Sequence, residues 1–218
     1  MSGALAEAPL VLVLDDEAPV RTALDSLLRS VGFRVACFAA PQELLDSGLA
    51  VAAGCLVLDI RLQVASGLDF QAQLSEAGIR IPVVFMTGHG DIPMTVRAMK
   101  AGAQDFLTKP FRDQDMLDAV AAAIERDRGR RAAEGRVAGI AERYRTLTPR
   151  ERQIMALVAE GLMNKEIAGR LGLSEITIKI HRGQVMRKME ARSITDLVRI
   201  ADALGLCAAG SGQSLMVG

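Results

Sequence analysis

The sequence is poor in cysteine and has no long apolar run. Cys37, Cys55 and Cys207 are an odd number at wide spacing, which fits neither a disulfide framework nor a zinc site. No apolar run approaches the ~18 residues of a membrane span, so none is expected. The opening Met1-Ser2-Gly3-Ala4-Leu5-Ala6-Glu7 lacks the basic stretch of a secretory signal. The expected compartment is the cytoplasm, with no membrane contact. Net charge is missing too, at +0. What the chain has in quantity is apolar side chain, 50% of its 218 residues. That is enough for a sizeable core in one or two domains of the usual ~100–200 residues.

The zero net charge hides an asymmetry. Met1 to Asp127 carries 10 Lys and Arg against 17 Asp and Glu, a net of −7; the remainder carries 16 against 9, a net of +7. Two domains with different partners are expected, the partner of the second being anionic.

In the first half, Leu10-Val11-Leu12-Val13-Leu14 and Cys55-Leu56-Val57-Leu58 are unbroken apolar runs. Such runs read as strands buried on both faces of a parallel sheet. Phe33–Phe38, Pro82–Met86 and Asp105–Pro110 read as three more strands. Helices are expected from Pro19 to Val31, Pro41 to Asp46, Leu68 to Glu76, Asp91 to Ala101 and Asp113 to Arg126. Five strands alternating with five helices predict a doubly wound α/β domain with a five-stranded parallel sheet.

In such sheets ligand chemistry gathers at the carboxyl ends of strands. Those ends here are Asp15-Asp16-Glu17, Asp59, Thr87 and Lys109. Carboxylates brought together repel and raise one another's pKa, and a divalent cation removes that penalty. Oxygen ligands beside a hydroxyl and a lysine suit Mg²⁺ on a phosphoryl group. A carboxylate can itself be the nucleophile and form an aspartyl-phosphate. Mg²⁺ and Lys109 then neutralise the equatorial oxygens, and Thr87 donates to one of them.

Val13-Leu14-Asp15-Asp16, Val57-Leu58-Asp59, Met86-Thr87-Gly88-His89-Gly90 and Phe106-Leu107-Thr108-Lys109-Pro110-Phe111 together resemble a response-regulator receiver domain of flavodoxin-like fold, residues 1–127. The resemblance implies that Asp59 accepts a phosphoryl group from a sensor histidine kinase. It implies Mg²⁺ on Asp16, Asp59 and the backbone carbonyl of Arg61, with Asp15 supporting. It also implies a cis Lys109–Pro110 bond and a switch pair of Thr87 and Phe106. The loop at Gln63-Val64 lacks the family's usual proline turn. A backbone less restricted in φ fixes the metal carbonyl less well, with consequences for metal affinity and phosphoryl lifetime. A rival reading is a haloacid-dehalogenase-like phosphatase, which needs a second Asp two residues after the nucleophile, where Arg61 stands. Another is a regulator independent of phosphorylation, which the intact set of Asp15, Asp16, Asp59, Thr87 and Lys109 opposes.

Residues 128–146 are charged, Ala-rich and short of large apolar residues. They read either as an exposed extension of the preceding helix or as a bendable, partly helical linker. Gly129, Gly135 and Gly139, each costing a helix ~1 kcal/mol relative to Ala, favour the linker. Thr148-Pro149-Arg150-Glu151 is a capping box. Asn164, Ser174 and Ser193 are candidate caps of three more helices. Two short helices joined by a Gly-containing turn suggest helix-turn-helix. In the third helix Ile178, Val185 and Met189 recur at core spacing, while Lys179, Arg182, Arg187 and Lys188 fall largely elsewhere. A basic outer surface fits a major groove.

Leu147-Thr148-Pro149-Arg150-Glu151, Gly161-Leu162-Met163-Asn164-Lys165-Glu166-Ile167-Ala168 and Leu173-Ser174-Glu175-Ile176-Thr177-Ile178-Lys179-Ile180-His181-Arg182 resemble the LuxR/NarL-type four-helix DNA-binding domain, residues 147–207. The whole chain is similar to FixJ-type two-component response regulators. The resemblance implies that Lys179, Ile180 and Gly183 face bases and that Thr177, His181, Arg187 and Lys188 lie near phosphates, with Arg182 on the same helix. His181 reads equally as a packed helix residue. Residues 208–218 are expected to form a flexible tail. The expected protein is a transcriptional regulator and not a conventional enzyme, apart from self-catalysed phosphotransfer and slow hydrolysis. Its expected partners are the kinase, a palindromic double-stranded promoter site, RNA polymerase and, on phosphorylation, a second copy of itself.

Overall fold

The computed structural model describes residues 8–62, 66–88 and 92–206, without the side chains of Ile92, Pro93 and Met94. The Gln63-Val64 turn, the His89-Gly90 motif, the Asp91 cap, Cys207 and the 208–218 tail lie outside the described residues. The chain divides into two compact units at residues 131 and 132.

In the first unit, strands β1 (Leu10–Leu14), β2 (Arg34–Phe38), β3 (Cys55–Asp59), β4 (Val83–Thr87) and β5 (Asp105–Thr108) alternate with helices. These are α1 (Ala18–Ser30), α2 (Pro41–Asp46), α3 (Gly67–Glu76), α4 (Ile92–Lys100) and α5 (Asp113–Arg145). A short 3-10 turn at Leu49–Val51, without a sequence signal, precedes β3. The sheet is parallel in the order β2-β1-β3-β4-β5. Strand side chains alternate between faces, and here each face has its own core. Leu12, Leu14, Leu56, Leu58 and Phe85 pack with Leu44, Phe70 and Leu74 on one side. Val11, Val13, Val57, Val84 and Met86 pack with Leu24, Leu28, Met116 and Val120 on the other. That double burial is why the runs are unbroken. Cys37 and Cys55 are free thiols, and burial pushes both above the ordinary thiol range.

Helix α5 corrects the linker expectation. It runs without a break over 33 residues, through all of the stretch read as bendable except Thr146. The three glycines are helical, with open space where a Cβ would stand. Buried Asp127 pairs with Arg130 and Arg131, and Arg131 also donates to the carbonyls of Val51 and Ala53. Further along, Ile140 and Tyr144 pack on the core of the second unit. These contacts, together with the pairs Glu125–Arg128 and Glu142–Arg145, offset the glycine cost of ~1 kcal/mol each.

The second unit adds α6 (Pro149–Ala159), α7 (Asn164–Leu171), α8 (Glu175–Lys188) and α9 (Ile194–Ala203). Its core holds Ile154, Met155, Ile167, Ile178, Val185, Met189 and Leu197. The capping box forms as expected: Glu151 N–H donates to Thr148 Oγ1, and Thr148 N–H donates to Glu151 Oε2. Ser174 and Ser193 cap α8 and α9. Asn164 does not cap α7 but is its first helical residue. The cap position is Met163, which has no side-chain acceptor; its N–H donates to Glu166 Oε2 at 2.7 Å.

Candidate functional site

Register assembles the first site. Leu14 lies opposite Leu58, so the next residues, Asp15 and Asp59, leave adjacent strands side by side. The sheet order reverses at this pair, the place where open α/β sheets bind ligands. From the end of β5, Lys109 Nζ reaches Asp15 Oδ2 at 2.8 Å and Asp59 Oδ2 at 2.6 Å. Its position is fixed by Lys109 N–H donating to the carbonyl of Thr87. The second oxygen of Asp59 accepts from Arg61 N–H at 2.9 Å, and that of Asp15 from Glu17 N–H at 2.8 Å. Both carboxylates are buried, at 0% and 5% exposure.

Burial raises Asp15 above the ordinary carboxylate range, against the opposing pull of Lys109. Burial tends to lower Lys109, but hydrogen bonds from its ammonium to Asp15 and Asp59 hold it above the ordinary lysine range. Ligand oxygens of Asp15, Glu17 and Asp59 lie within 4.8 Å of one another, an acidic cluster that could bind a metal. Asp16, the expected ligand, is not in this group; it is only half-buried. Glu17 takes the place. It stands at the cap position of α1, yet its carboxylate makes no capping bond. The run Asp15-Asp16-Glu17 held that signal, but which two of three consecutive acids converge depends on the backbone turn. Arg61 is exposed and forms an isolated bridge with Ser66.

Gly67, which no sequence motif marks, shapes the site. A Cβ there would collide with the carbonyl oxygen of Asp59 and stand 3.0 Å from Ile60 Cα. Gly67 can approach the end of β3 this closely, its N–H donating to the carbonyl of Ile60 at 2.8 Å, only because it has no side chain. Thr87 is fully buried at the end of β4. Phe106 is half-buried on β5, opposite Phe85, and packs on the first core. The Lys109–Pro110 bond is cis. On α4, Val96 and Met99 are exposed while Ala98 is buried.

The second candidate site is α8. With about 3.6 residues per turn, Ile176, Lys179, Ile180, Gly183 and Arg187 share the face opposite Ile178, Val185 and Met189. The first five are all exposed. Ile176 carried no role in the sequence reading, yet it is 74% exposed. The structure moves several expected contacts off this face. Lys188 Nζ donates to Glu151 Oε2 at 2.7 Å and to the carbonyl of Thr146. Burial alone would raise Glu151, but the bonds from Lys188 and Thr148 hold it below the ordinary range. Lys188 is thus half of a structural ion pair. Arg182 turns inward and donates to Asn164 Oδ1. The hydroxyls of Thr177 and Ser174 are 2.8 Å apart. His181 is half-buried, and its Nδ1 is buried without a hydrogen-bond partner. On α9, Leu197 and Ala201 belong to the unit's own core.

A family model of the response regulator receiver domain matches residues 11–121, and one of the luxR family of bacterial regulatory proteins matches residues 145–201. The chain belongs to the response regulators that join these two domains. It is 54% identical to nodulation protein W of Bradyrhizobium diazoefficiens, over 94% of this chain and 90% of that protein. It is 40% identical to the transcriptional regulatory protein FixJ of Azorhizobium caulinodans, over 91% and 94%. The solved structure of the response regulator StyR superposes with a TM-score of 0.81 at 45% identity, covering 89% of this chain and 98% of that one. The protein is therefore a phosphorylation-dependent, DNA-binding two-component regulator and not a classical enzyme. A receiver implies a histidine kinase as partner, and a luxR-type domain implies DNA. No described helix is long and apolar enough to cross a membrane.

Proposed function

We propose that Asp59 is the phosphoacceptor and that its phosphorylation controls DNA binding by α8. The observation that carries this is the Lys109 ammonium bridging Asp15 and Asp59. An Asp59 oxygen attacks the phosphorus of the kinase phosphohistidine. The P–N bond breaks, the imidazole leaves and takes up a proton, and a mixed carboxylic–phosphoric anhydride remains on Asp59. Arg61 N–H holds one carboxylate oxygen in place. Lys109 passes from Asp59 Oδ2 to a phosphoryl oxygen, and the Thr87 hydroxyl donates to another. Later attack by water at phosphorus restores Asp59 and releases phosphate.

The oxygen donors of Asp15, Glu17 and Asp59 suit Mg²⁺, which would neutralise phosphoryl charge when bound. Asp16 and the Arg61 carbonyl complete the expected set if the Asp16 side chain turns inward. The functional division is a receiver to about residue 127, a helical connector and a DNA-binding domain from Leu147. The kinase partner and the DNA both fit a cytoplasmic protein.

In the second domain, α8 enters the major groove with Lys179, Ile180 and Gly183 toward bases, and Arg187, Thr177 and His181 toward phosphates. Lys188 is not carried into this set. Phosphorylation favours a homodimer on a palindromic site, where RNA polymerase is the next partner. Asp59→Asn should fold normally and take no hydroxylamine-labile phosphate from acetyl phosphate and Mg²⁺. Undiminished labelling of that variant would remove Asp59 from the role.

A further inference from the structure

We propose that Ile176 is a specificity-determining residue that reads the 5-methyl group of a thymine in the major groove. This rests on the reading that α8 enters that groove. Isolated exposed apolar residues are ordinary on protein surfaces, but Ile176 is not isolated. It is 74% exposed, and Ile180, one turn on and on the same face, is 57% exposed. Between and beyond them on that face stand Lys179 and the bare backbone of Gly183, where open space replaces a side chain. The strip is thus apolar at two points, charged at one and empty at a fourth. Water does not favour such a strip, and the unit's own core, on the opposite side of α8, makes no use of it.

Local structure points the same way. Isoleucine is a poorer helix former than alanine, so an exposed isoleucine in the first turn of α8 gains nothing for the helix. Its branched side chain has few rotamers to lose on contact. It lies in the N-terminal part of a recognition helix, the part that reaches base edges. The hydroxyl of Thr177, its neighbour, lies 2.8 Å from that of Ser174 and is not part of this strip. Among the four bases only thymine offers a methyl group in the major groove; cytosine has a bare hydrogen at that carbon, beside a polar N4 donor where thymine has O4. An isoleucine there accepts the methyl and leaves the N4 donor without a hydrogen-bond partner.

The test uses the full chain, phosphorylated with acetyl phosphate and Mg²⁺, and a duplex enriched from a random pool by that protein. Each thymine is replaced singly by uracil, which removes the methyl and leaves the hydrogen-bonding edge unchanged. At one thymine or its symmetry mate, uracil should cost about fourfold in affinity, the worth of one buried methylene-sized group. Ile176→Ala should lose about the same on the thymine duplex and become indifferent to uracil there. Ile180→Ala should keep its sensitivity at that position. The far-UV circular dichroism of Ile176→Ala should match the parent. The proposal is overturned if no uracil replacement matters, or if Ile176→Ala keeps every sensitivity of the parent. A pool that yields no enriched sequence would instead remove the groove reading itself, and this proposal with it.

Discussion

Lys188 lies where a phosphate contact is expected, yet its ammonium is spent on Glu151. Lys188→Met keeps the aliphatic stem and removes the charge. The Glu151 side chain is 3% exposed and that of Lys188 31% exposed. Breaking a wholly buried pair costs about 3–5 kcal/mol, but here the lysine reaches water, and Glu151 keeps the bond from Thr148 N–H. A loss of about 2 kcal/mol is expected. The assay is built into the chain. It has no tryptophan and one tyrosine, and Tyr144 packs on the core of the second unit. Tyrosine fluorescence in urea therefore follows that unit within the full protein. The midpoint should fall by about 1–2 M. The pH dependence follows from the depressed pKa of Glu151. The pair's contribution is complete above the ordinary value of 4.5 and is lost as pH falls through the lower folded value. Lys188→Met should flatten that acid decline. An unchanged midpoint, with the salt dependence of DNA binding reduced by about one unit of slope, would refute this and restore the phosphate role.

Gly67→Ala should slow labelling by acetyl phosphate and destabilise the first unit by about 1–3 kcal/mol, because the added Cβ forces the start of α3 off Asp59; labelling rate and urea melting check both. Glu17→Gln should raise the Mg²⁺ concentration needed for half-maximal labelling more than Asp16→Asn does, and the reverse order would return Asp16 to the cluster. Lys179→Ala should cost about 1–3 kcal/mol on an enriched duplex and less on random DNA, measured as the ratio of the two affinities.

The first unit was legible because burial on both faces writes each strand as an unbroken run, and because parallel strands bring their ends together. Asp59, Asp15, Thr87 and Lys109 needed only that. The caps at Thr148, Ser174 and Ser193 are local, so spacing revealed them. Partners distant in sequence were not legible. Nothing near Lys188 announces Glu151, which lies 37 positions earlier. Nothing near Arg131 announces the carbonyls of Val51 and Ala53 that help to hold α5. Asn164 looked like a cap because its residue type caps helices, but Arg182 claims its side-chain oxygen. Glycine counting misjudged 128–146 because propensity yields to packing at both ends of the stretch.

One titration shows whether a phosphoryl group on Asp59 governs DNA binding. The affinity of the full chain for an enriched duplex is measured with and without acetyl phosphate and Mg²⁺, beside Asp59→Asn under the same conditions. The parent should tighten by about 5–150-fold, the range of a 1–3 kcal/mol coupling, and the variant should not change. Equal tightening of both proteins, or a fully labelled parent that binds no better, would contradict it.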